Sequence, residues 1–222
     1  MTRIAHIEND MSEKFGIPRQ SGLVEDVIST IVFEEEFRNP DALKGLDGFS
    51  YIWLIWVFDR EEGASWSPMV RPPKLGGNTR MGVFATRSPN RPNPIGLSCV
   101  KLIDIEMSGR GPLIRVAGAD LRSGTSILDI KPYLPYTDAH PDASGGFADE
   151  HLNDTLKVSI PDNLCTGISE DVIKAAGALL SQDPRPSYHD DPDRIYGMTY
   201  AGYNFRFSVS NGLLTVTEIE PG

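Results

Sequence analysis

The sequence predicts a mainly β fold: a barrel or sandwich, followed by a small α+β unit. Two observations support the β part. Short runs rich in β-branched and aromatic residues recur through the first two thirds of the chain, and Gly and Pro punctuate them with almost no helical periodicity. A third observation supports the appended unit, because a helical repeat and a hairpin signal occur only near the C-terminus.

Taken in order, Phe49 to Phe58 (FSYIWLIWVF) reads as a strand covered on both faces. Val83 to Thr86 is a short strand candidate. From Leu97 to Met107, Cys99, Ile103, Ile105 and Met107 share one parity, a partly alternating strand pattern. Leu113 to Ala117 and Ile127 to Ile130 are two more short candidates. Between Thr137 and Thr155 the chain holds five acids and no Lys or Arg, the best candidate for a linker or excursion. Ser169 then starts a helix with Glu170 and Asp171 in its first turn. Val172, Ile173, Ala176, Leu179 and Leu180 recur at helical spacing, and Pro184 ends it. Phe205, Phe207 and Val209 alternate up to Asn211-Gly212, a hairpin turn signal. The expected organisation is residues 1–140 as the β unit, 141–160 as linker and 161–222 as the α+β unit.

The chain has 222 residues, enough for a real core, and a formal net charge of −10. That sign excludes a wholly basic nucleic-acid-coating protein but not a local basic patch. From Ser67 to Ile103 there are six positive residues (Arg71, Lys74, Arg80, Arg87, Arg91, Lys101), no acid, and six of the 17 prolines. The rest of the chain carries the opposite excess, −16. A stiffened, acid-free loop suits anion binding, although a merely solvated loop is the plain alternative.

Cys99 and Cys165 are far apart and form neither a disulfide framework nor a zinc cluster. The N-terminus has no apolar signal core, and no apolar run approaches the roughly 20 residues of a membrane helix. The expectation is a cytoplasmic protein without metal or membrane contact. A dinucleotide fingerprint, a P-loop, a GxSxG elbow and an HExxH motif are all absent.

Five segments depart from generic loops. KFGIPRQ places Arg19 and Gln20 after a fixed proline. VRPPKLGG and TRSPNRPNPIG alternate cations with Pro and Asn. DIKPY puts Asp129, Lys131 and Tyr133 at a strand end, and QDPRPSY carries Arg185 and Tyr188 beyond the helix. X-Pro steps hold polar side chains outward on extended backbone, so arginines there lose little entropy on meeting a carboxylate or phosphate.

In that order, KFGIPRQ, FSYIWLIWVF, VRPPKLGGNTRMGVFATRSPNRPNPIG, DIKPYLPY and QDPRPSY resemble the TrmO family (also called TsaA-like or YaeB-like) along nearly the whole chain. The resemblance implies a non-Rossmann β-barrel methyltransferase, a small C-terminal domain and a homodimer. It also implies S-adenosylmethionine as cofactor and tRNA as substrate, with methylation at N6 of threonylcarbamoyladenosine beside the anticodon. The cofactor residues it implies are Gln20, Ser21, Gly22, Phe58, Asp59, Arg87, Leu97, Ser123, Gly124, Thr125 and Ser126. The chain departs from the family pattern at Tyr51, at Asp59, and at Ser123 and Ser126, which replace the Asp and Pro of Asp-Gly-Thr-Pro.

Asp129 and Tyr133 are the candidate acceptors for the N6 proton, with Lys131 for the threonyl carboxylate or a phosphate. The plain alternative is an Asp129–Lys131 pair at a strand end. The expected RNA-binding residues are Arg19, Arg71, Lys74, Arg80, Arg91, Asn93, Arg185 and Tyr188. For Arg185 an internal carboxylate pair is the competing reading, and the Trp53/Trp56 cluster reads as core. Two other functions stay open: a non-catalytic cofactor or RNA sensor on the same fold, and a small-molecule methyltransferase.

Overall fold

The computed structural model describes residues 1–58, 66–76, 78–152, 154–186 and 191–222. The strands are β1 (Ala5–Glu8), β2 (Ile28–Phe33), β3 (Tyr51–Val57), β4 (Met69–Val70), β5 (Met81–Gly82), β6 (Ile95–Ser108), β7 (Gly111–Ala117) and β8 (Ser126–Pro132). Six of them pair in the cyclic order β1-β2-β7-β6-β3-β8, with β8 returning to β1, so the sheet is closed. β4 and β5 form a separate two-stranded ribbon.

Period-2 alternation explains the packing. On β3, Ile52, Leu54 and Trp56 point inward and are buried against Val100, Ile114, Val116 and Ile127. Tyr51, Trp53 and Ile55 lie on the outer face, half-buried. Trp53 Nε1 donates to Asp138 Oδ2 at 2.9 Å on the short helix α1 (Pro135–Asp138), and Tyr133 packs on Trp53 and Tyr51. Both tryptophans therefore belong to the barrel wall.

Val83 to Thr86 forms a 3₁₀ turn over Val83–Ala85 rather than a strand. Arg91 Nη1 donates to the carbonyls of Val83, Thr86 and Ser88, taking acceptors that a neighbouring strand would need.

The C-terminal unit contains β9 (Lys157–Ser159), α2 (Glu170–Ser181), β10 (Tyr196–Tyr200), β11 (Tyr203–Ser210) and β12 (Leu213–Pro221), with sheet order β10-β11-β12-β9. Ser169 Oγ caps α2 by accepting from the Val172 N–H, and Ala175, Ala176, Leu179 and Leu180 are its buried face. Asn211 and Gly212 turn the β11–β12 hairpin at φ 51° and 74°, the left-handed pair that a type I′ turn requires. This second core also takes Met11, Val24 and Val27 from the β1–β2 connection, and Leu156, Val158 and Ile160 from the acidic segment's end.

Tyr200 is buried in this core. Burial, then the charges of Asp10 and Asp26, push its phenol up to about 12. The neutral phenol is favoured in the folded state, so its contribution is complete below the ordinary tyrosine pKa of about 10. It is lost as pH rises from there to about 12. Chemical denaturation across that window is expected to show a fall of up to about 1.4 kcal/mol per pH unit, and Tyr200→Phe is expected to flatten it.

A candidate cofactor site at the barrel rim

The registers bring six strand ends to one mouth of the barrel. Glu8 ends β1 opposite Thr30, Ile28 starts β2 opposite Ala117, and Val57 ends β3 opposite Ile95. β8 starts at the same mouth, beside β1 and the end of β3. The loops leaving this mouth hold Gln20 to Gly22, Phe58, Arg87 and Gly118 to Thr125.

The rim is built around the upper edge of β6. There β3 covers one side, and the other side is taken by two loop segments. Ser21 Oγ accepts from the Cys99 N–H at 3.1 Å, and the Gly22 N–H donates to the Gly118 carbonyl at 2.8 Å. Gly118 has φ 77°, and a side chain there would crowd the Gly22 backbone, so glycine is required on both counts. Arg87 Nη1 donates to Gln20 Oε1. These contacts join Gln20, Ser21, Gly22 and Arg87 into one constellation.

Asp120 lies at its centre. Its carboxylate accepts from Ser98 Oγ at 2.5 Å, and Ser98 Oγ accepts from Trp56 Nε1 at 2.9 Å. Desolvation pushes the Asp120 carboxyl above its ordinary range, opposed by the Ser98 hydrogen bond, backbone N–H groups including that of Ser21, and the charge of Arg87. A single Asp between strands has no sequence pattern to flag it. The only cue was its place two residues after Gly118.

Phe58 packs at a tilt against Trp56, 4.3 Å between ring centroids, and its N–H donates to the Pro94 carbonyl at 2.9 Å. Leu97 points out of the barrel and is 53% exposed, beside this edge. Its register partner Ile55 pairs in turn with Asp129, so the three form one row across the outer wall.

Ser123 to Ser126 lie at the same mouth but serve the β1 connection. Ser123 N–H donates to the Met11 carbonyl, Gly124 N–H to the Ile7 carbonyl, and Ser123 Oγ accepts from the Asn9 N–H. Thr125 is buried.

Asp129 and Lys131 form an exposed ion pair at 2.8 Å on the outer wall. Asp129 is two strands from Leu97, about 10 Å. Tyr133 lies four residues further on, about 13 Å along the strand. Arg71, Arg80 and Asn93 are exposed. Arg91 is committed to its three carbonyls and also sits 5.7 Å over the exposed Phe84 ring. Arg185 pairs with Asp183 in a bidentate contact through Nε and Nη2. Asp59 and Tyr188 lie outside the described residues. Among the described residues no cluster of three potential metal ligands occurs, and no helix is long and apolar enough to cross a membrane.

Comparison with known proteins gives a consistent result. The family model of the tRNA-methyltransferase O N-terminal domain matches residues 6–139, and that of the TrmO C-terminal domain matches residues 166–222. The chain is 36% identical to a tRNA (adenine(37)-N6)-methyltransferase of Escherichia coli, over 99% of this chain and 97% of that protein. It is 44% identical to a protein of the same name from Eikenella corrodens, over 77% of this chain and 97% of that one. A crystal structure of TrmO from Pseudomonas aeruginosa superposes with a TM-score of 0.77 at 30% identity, covering 99% and 100% of the two chains. The chain belongs to the TrmO family.

Proposed function

We propose that this protein is an S-adenosylmethionine-dependent methyltransferase acting on N6 of adenosine 37 in tRNA, and that the adenosine carries a threonylcarbamoyl group. Beyond family membership, the observation that supports this most is the donor set gathered at the rim. A carboxylate (Asp120), an amide (Gln20), a guanidinium (Arg87) and an aromatic ring (Phe58) gather there, and an exposed aliphatic side chain (Leu97) lies on the outer face of the same strand edge. This set fits the cofactor's chemistry, which combines an adenine, ribose hydroxyls, a sulfonium cation and an amino-acid carboxylate.

Bound S-adenosylmethionine supplies an electrophilic methyl group. The protein's task is to orient and desolvate, an effect that can amount to roughly 7–11 kcal/mol. Arg87 is assigned to the amino-acid carboxylate, Asp120 to the cationic or hydroxyl-bearing part, and Phe58 with Leu97 to apolar faces. The remaining sequence-derived residues, Ser123 to Ser126, hold the loop shape. Asp129 is assigned as acceptor of the N6 proton, because it shares the Leu97 row on the outer wall. Lys131 neutralises the adjoining anion, and Tyr133 offers a ring to the base. Arg71, Arg80 and Asn93 are assigned to the RNA backbone, and Phe84, 74% exposed, offers a further stacking surface.

We place the work in the cytoplasm and in a homodimer. The outer face of β6 exposes Ile95 and Leu97, and Ile103 stands exposed at the register shift between Leu102 and Asp104, an apolar strip suited to a second copy. The proposed domain division has residues 1–140 supplying the methyltransferase barrel and 161–222 the small α+β domain, with Met11, Val24 and Val27 of the first and β9 of the intervening segment packing into the second core.

The test is incubation with S-adenosylmethionine labelled on its methyl group and tRNA carrying or lacking threonylcarbamoyl. Label only in the modified tRNA is expected. Label in neither, with intact cofactor binding, would favour the sensor.

A further inference from the structure

Arg19, Lys74 and Arg185 come from three segments far apart in sequence, yet they line one cleft of about 500 Å³. The cleft also holds two carboxylates, and both are already engaged. Asp183 accepts from Arg185 Nε and Nη2 at 2.8 and 2.9 Å, and Asp154 Oδ2 pairs with His151 Nδ1 at 2.7 Å. Arg19 donates only to the Asp183 and Arg185 carbonyls, each at a long 3.4 Å. Lys74 Nζ donates to the His151 carbonyl at 2.7 Å. Among the described residues neither Arg19 nor Lys74 has a carboxylate partner. The lining therefore carries three cations against two carboxylates, and this net positive concave surface suits an oxyanion.

The cleft adjoins the rim. Arg19 immediately precedes Gln20, and Leu23, which follows Gly22, also lines it. One loop thus presents Gln20 to Gly22 to the rim and its two flanking residues to the cleft. An RNA strand that delivers a base to the rim must carry its next phosphates over the adjoining surface. A planar fork and a point charge lining one cleft suit a phosphodiester.

We propose that this cleft is a phosphate subsite, taking a backbone phosphodiester of the RNA strand that leads to the methylated base. It rests on the reading of tRNA as substrate. Arg185, locked by Asp183, shapes its wall.

The experiment compares wild type with an Arg19→Gln/Lys74→Gln double variant, leaving the Arg185–Asp183 pair intact. Fluorescence anisotropy measures affinity for tRNA carrying or lacking threonylcarbamoyl across a salt series. The expected result is a loss of about tenfold at low salt, equal for both tRNAs, with the log–log salt slope shallower by about one to two. Affinity for S-adenosylmethionine, read by calorimetry, stays at the wild-type level and shows that the variant is folded. Lys74→Arg, which keeps the charge, retains most of the affinity. Unchanged tRNA affinity and slope in the double variant overturn the subsite. A loss confined to modified tRNA overturns the phosphodiester assignment and transfers the cleft to the threonyl carboxylate. If wild type binds neither tRNA, the substrate reading itself fails, an outcome distinct from failure of the cleft.

Discussion

Replacing Asp120 with Asn is expected to weaken S-adenosylmethionine binding about tenfold to a hundredfold while raising the melting temperature. The binding loss follows from removing the one carboxylate that the described residues bring to the Gln20–Ser21–Arg87 constellation. Hydrogen bonds to charged groups contribute about 1.5–3 kcal/mol, which converts to that range of affinity. The stability gain follows from the opposite side of the same feature. Burial pushes the Asp120 carboxyl above its ordinary range, so ionising it in the folded protein is unfavourable. That penalty is fully present at neutral pH and fades as pH falls through the shifted value and then the ordinary carboxylate range. Asn keeps the shape and can still accept from Ser98, so the variant gains most at neutral pH and nothing in acid. Calorimetry of cofactor binding and thermal melts at two pH values check both arms. Wild-type affinity in the variant would remove Asp120 from the site.

Gly96→Ala is expected to lower stability by about 2–4 kcal/mol, a drop of roughly 5–15 °C in melting temperature for a protein of this size. A Cβ at residue 96 would overlap the Trp56 indole, which covers that backbone in place of a side chain. Trp56 is only 7% exposed and is fixed by its hydrogen bond to Ser98 and its packing against Phe58, so it has no free rotamer to take. Displacing it overpacks the core and breaks the Trp56–Ser98–Asp120 chain, leaving buried polar atoms without partners. Cofactor affinity falls with stability for that reason. Gly109→Ala is the control, because nothing lies near its added Cβ and its φ is not left-handed. Its melting temperature is expected to stay close to wild type.

The parts of the fold legible in the sequence were those with long periodic signals. The aromatic run of β3, the helical spacing after Ser169 and Asn211-Gly212 each specify an element locally. β1 and β9, four and three residues long, are too short to show a period, and β9 lay inside the stretch 141–160 read as linker. Val83 to Ala85 was misread because its partner is a guanidinium rather than a strand. At the site, the motif residues Gln20, Ser21, Gly22 and Arg87 do meet. Asp120 and Ser98 were invisible because their significance comes from Trp56, 42 positions away from Ser98, and not from any spacing of their own. Arg91, read from sequence as a phosphate contact, braces its own loop, because a Pro-rich turn leaves carbonyls that only a side chain can satisfy.

The central claim is that the rim beside β6 is where S-adenosylmethionine binds. Amide chemical shifts of the isotope-labelled protein, followed on titration with S-adenosylmethionine, test it most directly. The account predicts the largest changes at residues 20–22, at Arg87, across 96–99 and across 118–120, with the cleft near Arg185 little affected. Changes concentrated near Arg185 or at the Tyr133 end of the barrel, with the rim silent, would contradict it.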